Sequence, residues 1–384
     1  MLDPQEQRAI EATLRRFAAR IDEVLFSESA SDVDITRVPQ LLAEARALDL
    51  VADSAPDAPG HDLGVWGTHC LTEGLTLSLL TLSILAEACA GFATAIHAQG
   101  LACLAVDGRA HFPESPPLAA VFMPAYGLPL RPEGSGLHLT EGEGGAILRG
   151  MGHFFLSAEP PRALICFAQV EGDPEIGAGW VSLVLDAGAP GLELVDLEQR
   201  TGLRAASQFH LRCDRVAVRP EQILTRGDAA LTSLKRVLAC DWLGAAAIAL
   251  GVARRSLRDS LDYAAQRFQG GRMIDEHASV QLLQGTAVYD ISVLEALLYR
   301  HAAEPLATID TSVLLRWALA ARLAVVEHAH RAVTNCLQTL GGYGYMEDYR
   351  LEKRLRDVST LKSLHGAPDQ LKLLLNEVAK GESP

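Results

Sequence analysis

Hydrophobic spacing changes character twice along this chain, and that double change limits the folds open to it. Up to about residue 110, apolar residues recur at three and four, as at Ile10, Leu14 and Phe17, which is the spacing of an amphipathic helix. Val38 to Leu50 repeats the pattern. Leu71 to Ala90 and Phe92 to Val106 are apolar helical blocks of small residues, which let helices pack closely. Phe112-Pro-Glu-Ser-Pro-Pro117 then reads as a linker. Beyond it lie short β-rich runs: 118–123, 136–140, 146–148, 154–156, 163–170, 180–185, 192–197 and 208–218. Turn clusters such as Gly172-Asp-Pro separate them, and strands at this spacing predict a small barrel or sandwich. From about Gly227 the helical period returns over 228–268, 276–304 and 308–340, with shorter stretches at 350–361 and 367–381. Long helices with brief loops predict an antiparallel bundle. The expected fold is mainly α: an N-terminal helical domain (1–110), a small central β-barrel or sandwich domain (111–226) and a C-terminal antiparallel helical bundle (227–384).

The formal charge of −14 argues against nucleic acid or anionic lipid as a general partner. Seven scattered cysteines contain no C-x-x-C, and an odd number cannot pair completely, so reduced thiols in a cytoplasmic protein are expected. The N-terminus has no basic segment leading into an apolar run, and Leu243 to Ala253 reads as a buried core helix rather than a membrane span. The histidines show no ligand spacing, so no metal is expected.

Three features carry chemistry. In Gln338-Thr-Leu-Gly-Gly-Tyr-Gly-Tyr-Met-Glu, the glycines 341, 342 and 344 fall between two helical stretches. They read either as a helix C-cap or as a turn whose main-chain N–H groups face a ligand. Arg267-Phe-Gln-Gly-Gly271 ends a long helix. Its guanidinium is either a solvated helix-end cation or a fork for phosphate oxygens. Asp241 sits among Val237, Leu238, Gly244 and Ala245 at helical spacing, so it is expected to be buried. A buried acid without a partner has a raised pKa, which suits a general base; a buried acid with one is structural.

Taken together these strings resemble the acyl-CoA dehydrogenase flavoproteins. The resemblance is strong from about 236 to 370 and thin from 110 to 160. It implies bound FAD, with Arg267 reaching the flavin pyrophosphate, often of a neighbouring subunit, and Gln338, Gly341 and Gly342 holding the cofactor. Gly150-Met-Gly-His-Phe154-Phe-Leu-Ser157 is similar to the family's Gly-x-Lys-x-Trp-Ile-Thr-Asn, which puts Phe154 against the flavin ring and Leu156 where a polar Thr contact is usual. The polar loop upstream is replaced by Val121-Phe-Met-Pro-Ala-Tyr-Gly127. The family's usual catalytic Glu is replaced by His365, and Asp241 falls where a minority of members keep their base. The resemblance implies α,β-dehydrogenation of an acyl-CoA, with Asp241 as base and His365 as second candidate, its main chain polarising the thioester. It also implies a dimer or tetramer, with itself or a paralogue, and an electron-transfer flavoprotein as acceptor. Two other readings stand beside it: a non-catalytic subunit completing a paralogue's flavin site, and a flavin monooxygenase on the same fold.

Overall fold

The computed structural model describes residues 4–26, 32–51, 64–106, 118–121, 130, 136–142, 145–156, 160–171, 179–197, 199–364 and 366–381. Helices and strands follow the order expected. An N-terminal layer holds α1 (Pro4–Leu25), α2 (Val38–Arg46), α3 (Thr68–Thr72), α4 (Thr76–Ala88) and α5 (Ala90–Val106). Strands β1 (Leu118–Val121), β2 (Leu137–Gly142), β3 (Gly145–Leu156), β4 (Ala163–Glu171), β5 (Trp180–Asp186), β6 (Leu192–Asp196), β7 (Ser207–Val218) and β8 (Ile223–Arg226) follow. They form one mixed sheet in the order β6-β7-β3-β1-β4-β5-β8, with β2 bridging β3 and β4. The two runs expected at 146–148 and 154–156 are thus one long strand. An irregularity between Leu148 and Gly150 bends it, as an extra residue in an antiparallel pair does.

The bundle starts directly from β8 with α6 (Gly227–Gln266), 40 residues long. By length and composition it could cross a bilayer, but its apolar window is 94% buried. It is the central core helix of this molecule. Its small-residue face lets α4 come so near that a Cβ on Gly251 would lie 2.1 Å from Ser83 O. A short hairpin of β9 (Phe268–Gln269) and β10 (Arg272–Met273) leads to α7 (Ala278–Leu298), then α8 (Thr311–Ala324), α9 (His330–Thr339), α10 (Leu351–Ser363) and α11 (Pro368–Ala379).

The helix expected from 308 to 340 is interrupted. Val325–Ala329 winds one residue wider as a π segment. The wider turn brings His328 and Arg331 together onto Asp290 of α7, which is fully buried. His328 Nδ1 and Arg331 Nε each lie 2.8 Å from that carboxylate. Apolar periodicity carries no trace of this bulge, because a polar contact drives it.

Candidate functional site: an arginine cleft and a buried acid

The end of α6 and the start of the next turn build a cleft. Arg267 closes α6 by donating its N–H to Tyr263 O, and its own carbonyl accepts from Ile274 N at 2.8 Å. These bonds fold the hairpin back on the helix. His277 pins it: Nε2 lies 2.9 Å from Gln269 O, while Nδ1 accepts from Arg272 Nε at 3.3 Å. Opposite, α9 ends at Thr339. Gly341 takes φ +57°, the left-handed turn that ends many helices, and no atom lies within 4 Å of a Cβ built on Gly341 or Gly342. The C-cap reading of this cluster matches the geometry. Gly341 ends the helix, and the pair leaves open space over the turn.

Between these elements lies a cleft of about 800 Å³ that brings together Arg267, Gln338, Gly341 and Gly342. Arg267 lies with its guanidinium carbon 5.2 Å from the centre of the Tyr343 ring. Its Nε is buried and finds no hydrogen-bond partner among the described residues. An unpaired buried cationic donor facing a roomy cleft fits an anionic ligand. Tyr263 joins Tyr343 and Tyr349 in an edge-on aromatic cluster behind it. Sequence reasoning did not single out Tyr263. Its place one turn before Arg267 on α6 was the available signal.

The other expected site residues lie elsewhere. Phe154 is 1% exposed and stacks face to face on Phe209, ring centres 4.9 Å apart, inside the core of the sheet. Leu156 shares that core. Strand alternation turns Phe155, not Phe154, toward the helices, where it meets Ala95, Ala98 and Leu364. Phe154, expected against a cofactor ring, thus packs on Phe209 within the sheet. His365 lies outside the described residues, as do 122–127 of the replaced loop.

Asp241 is buried as expected, at 1% exposure, but it is not isolated. His97 Nε2 of α5 lies 3.2 Å from its Oδ1. Trp66 Nε1 donates to His97 Nδ1 at 2.9 Å. An indole nitrogen only donates, so Nδ1 is the acceptor, and the ring is neutral with its proton on Nε2, aimed at the carboxylate. On the other side is Arg322 of α8, fully buried. Burial pushes its pKa down to about 10, against the pull of the Asp241 charge. Its Nη2 donates to the carbonyls of Lys362 and Leu364, while Nε and Nη1 have no partner among the described residues. Neither His97, Trp66 nor Arg322 was identified from the sequence. Each lies far from Asp241 along the chain and looks, locally, like an ordinary helix residue.

A helical layer, a bent sheet and a bundle whose glycine turn faces a helix-end arginine define the acyl-CoA dehydrogenase-like flavoprotein fold. Residues 233–379 match the model of the acyl-CoA dehydrogenase C-terminal domain. Cyclohex-1-ene-1-carbonyl-CoA dehydrogenase of Geobacter metallireducens is 28% identical over 212 residues, 55% of either chain. The chain thus spans about half the length of the curated relatives it matches. In fold, glutaryl-CoA dehydrogenase from Mycobacterium smegmatis superposes with a TM-score of 0.79 at 17% identity, covering 99% of this chain and 96% of the other. A nitroalkane oxidase superposes as well, with a TM-score of 0.78 at 18% identity over 98% of this chain and 96% of its own.

Proposed function

We propose that this chain works in the α,β-dehydrogenation of an acyl-CoA thioester, with FAD as cofactor. The observation that carries the reading is the cleft in which Arg267, with an unpaired buried donor, faces the open turn at Gly341 and Gly342. The residues present fit the diphosphate part of a dinucleotide. A guanidinium fork matches phosphate oxygens, and main-chain N–H groups at a glycine turn can approach them closely. FAD, when bound, accepts hydride from the β-carbon. Asp241 is the candidate acceptor of the α-proton. To act, its Oδ1 must exchange the His97 N–H for the substrate C–H. An electron-transfer flavoprotein is the acceptor class assigned to the reduced cofactor.

A specific observation favours a second reading, in which this chain is the non-catalytic subunit of a mixed oligomer. Asp241 is sealed by His97 and Trp66. The Arg267 cleft, in contrast, stays open, and the exposed side chains of Tyr343 and Met346 line it. A half-site with an apolar rim suits completion by another polypeptide.

Absorbance of the purified chain separates the two. A yellow protein that bleaches anaerobically with an acyl-CoA, and stops doing so in Asp241→Asn, supports catalysis by this chain. A colourless chain that gains flavin only when co-expressed with a paralogue supports the second reading. Failure to take up flavin in either setting overturns both. Oxygen consumption with a nitroalkane, without bleaching by any acyl-CoA, would move the chemistry to the class of its nitroalkane oxidase neighbour.

A further inference from the structure

We infer a second ligand site in the N-terminal helical layer: an apolar cavity, ending in a His69–Ser78 corner, that takes a small neutral molecule bearing one hydroxyl or carbonyl group. The cavity measures about 360 Å³ and shares no lining residue with the arginine cleft. Its volume lies within the range of small-ligand pockets. The inference does not rest on the flavin reading.

The walls are apolar and come from three directions. Ile10 and Leu14 belong to α1, Leu77 to α4, and Leu50 and Val65 to the strands of chain on either side of residues 52–63. That last wall is tied together, because Val65 N–H donates to Leu50 O at 3.2 Å. The hollow is open to solvent beside the exposed Ala9, Leu48 and Asp49, so a guest can enter it from the surface.

The polar groups gather in one corner. His69 Nε2 and Ser78 Oγ lie 3.0 Å apart. Cys70 Sγ lies 3.0 Å from the same hydroxyl and 3.4 Å from His69 Nε2. Ser78 is 1% exposed and Cys70 fully buried, so these bonds are shielded from water. A hydroxyl, a thiol and an imidazole can each donate or accept as the hydroxyl rotates and the ring changes tautomer. Such a corner answers either a hydroxyl or a carbonyl on the guest. Among the lining residues the carboxylate is Asp49, and it disfavours a guest that is itself an anion.

Calorimetric titration of the full chain tests this, with 1-octanol and cyclohexanol as neutral probes and octanoate as the anionic control. Saturable binding of a neutral probe at one site is expected. Ser78→Ala should weaken it about tenfold, the order of one lost hydrogen bond in a buried site. Ala9→Trp should abolish it by plugging the cavity from α1. Ala9 is exposed, so that variant is expected to fold, and it decides the matter if Ser78→Ala does not. Absence of saturable binding, binding unchanged in Ala9→Trp, or tighter binding of octanoate than of 1-octanol overturns the inference.

Discussion

Asp241 on α6 and His97 on α5 form a buried pair, with Nε2 and Oδ1 3.2 Å apart and the imidazole fixed from behind by Trp66. The ring fits there because position 244 has no side chain. A Cβ on Gly244 would lie 2.1 Å from His97 Cε1. Gly244→Ala is therefore expected to displace the ring and cost about 1–3 kcal/mol, the usual penalty of overpacking. His97→Ala should cost a similar amount by leaving the Asp241 oxygen and the Trp66 N–H short of a partner. The double variant should cost less than the sum, since both act through one ring. Urea unfolding of the four proteins gives the comparison, and strict additivity would refute the coupling.

In the cleft, Arg267→Lys should lower retained flavin about tenfold or more, because an ammonium cannot reproduce the fork. Gly342→Val is the sharper test. No atom lies near its absent Cβ, and its φ lies outside the left-handed region that makes Gly341 strained when substituted. The fold should survive while the cleft is blocked. Flavin absorbance per chain in the assembled protein, read beside the melting temperature, checks both. Unchanged flavin content in Gly342→Val would place the cofactor elsewhere.

Lys353 and Asp357 form a second buried pair at 2.7 Å, and Asp357 Oδ1 also accepts the Leu203 N–H at 2.7 Å. The carboxylate thus ties α10 to the segment before β7. Burial is the largest single influence and works against the Lys353 ammonium, but the Asp357 charge, the neighbouring Cys89 and the Asp357 hydrogen bond together hold the amine above its ordinary value. Lys353→Met or Asp357→Leu alone should cost about 3–5 kcal/mol by stranding a charge, whereas the pair replaced together should cost less. Chemical denaturation measures this, and a double variant worse than either single one would contradict it.

Asp290 gives a pH prediction. Its burial favours the neutral form, but hydrogen bonds from Arg331 and His328 prevail and hold the carboxyl below its ordinary value of 3.8. A group whose pKa falls on folding stabilises the fold above its unfolded value and loses that contribution as pH drops through the folded value. Arg331→Ala should therefore be less stable than the parent at pH 6, with the gap closing below about pH 4. Stability curves at pH 6 and pH 3 check it, and a gap that widens in acid would refute the assignment.

Much of the architecture was legible in advance. Helix α6 was expected at 228–268 and runs from Gly227 to Gln266, and strands β4, β5 and β7 fall within a residue or two of their expected bounds. The convergence of Arg267 with Gln338, Gly341 and Gly342 came from recognisable strings, and these residues do share one cleft. The interruption of the helix at Val325–Ala329 was not legible, because it answers to a carboxylate on another helix. That Phe154 faces the sheet's core and Phe155 the helices was not legible, because a strand turns alternate residues to opposite faces and a string of aromatic residues does not say which face is which.

What the chain settles alone is local: hydrophobic period sets helix or strand, and glycines after a helix set where it ends, since both follow from backbone sterics over a few residues. Whether Asp241 stands bare or paired was settled only by folding. Its partner His97 lies 144 residues away, and only the packing of α5 on α6 brings the two into contact. Desolvation penalties depend on such three-dimensional neighbours, and so does the chemistry open to a buried acid.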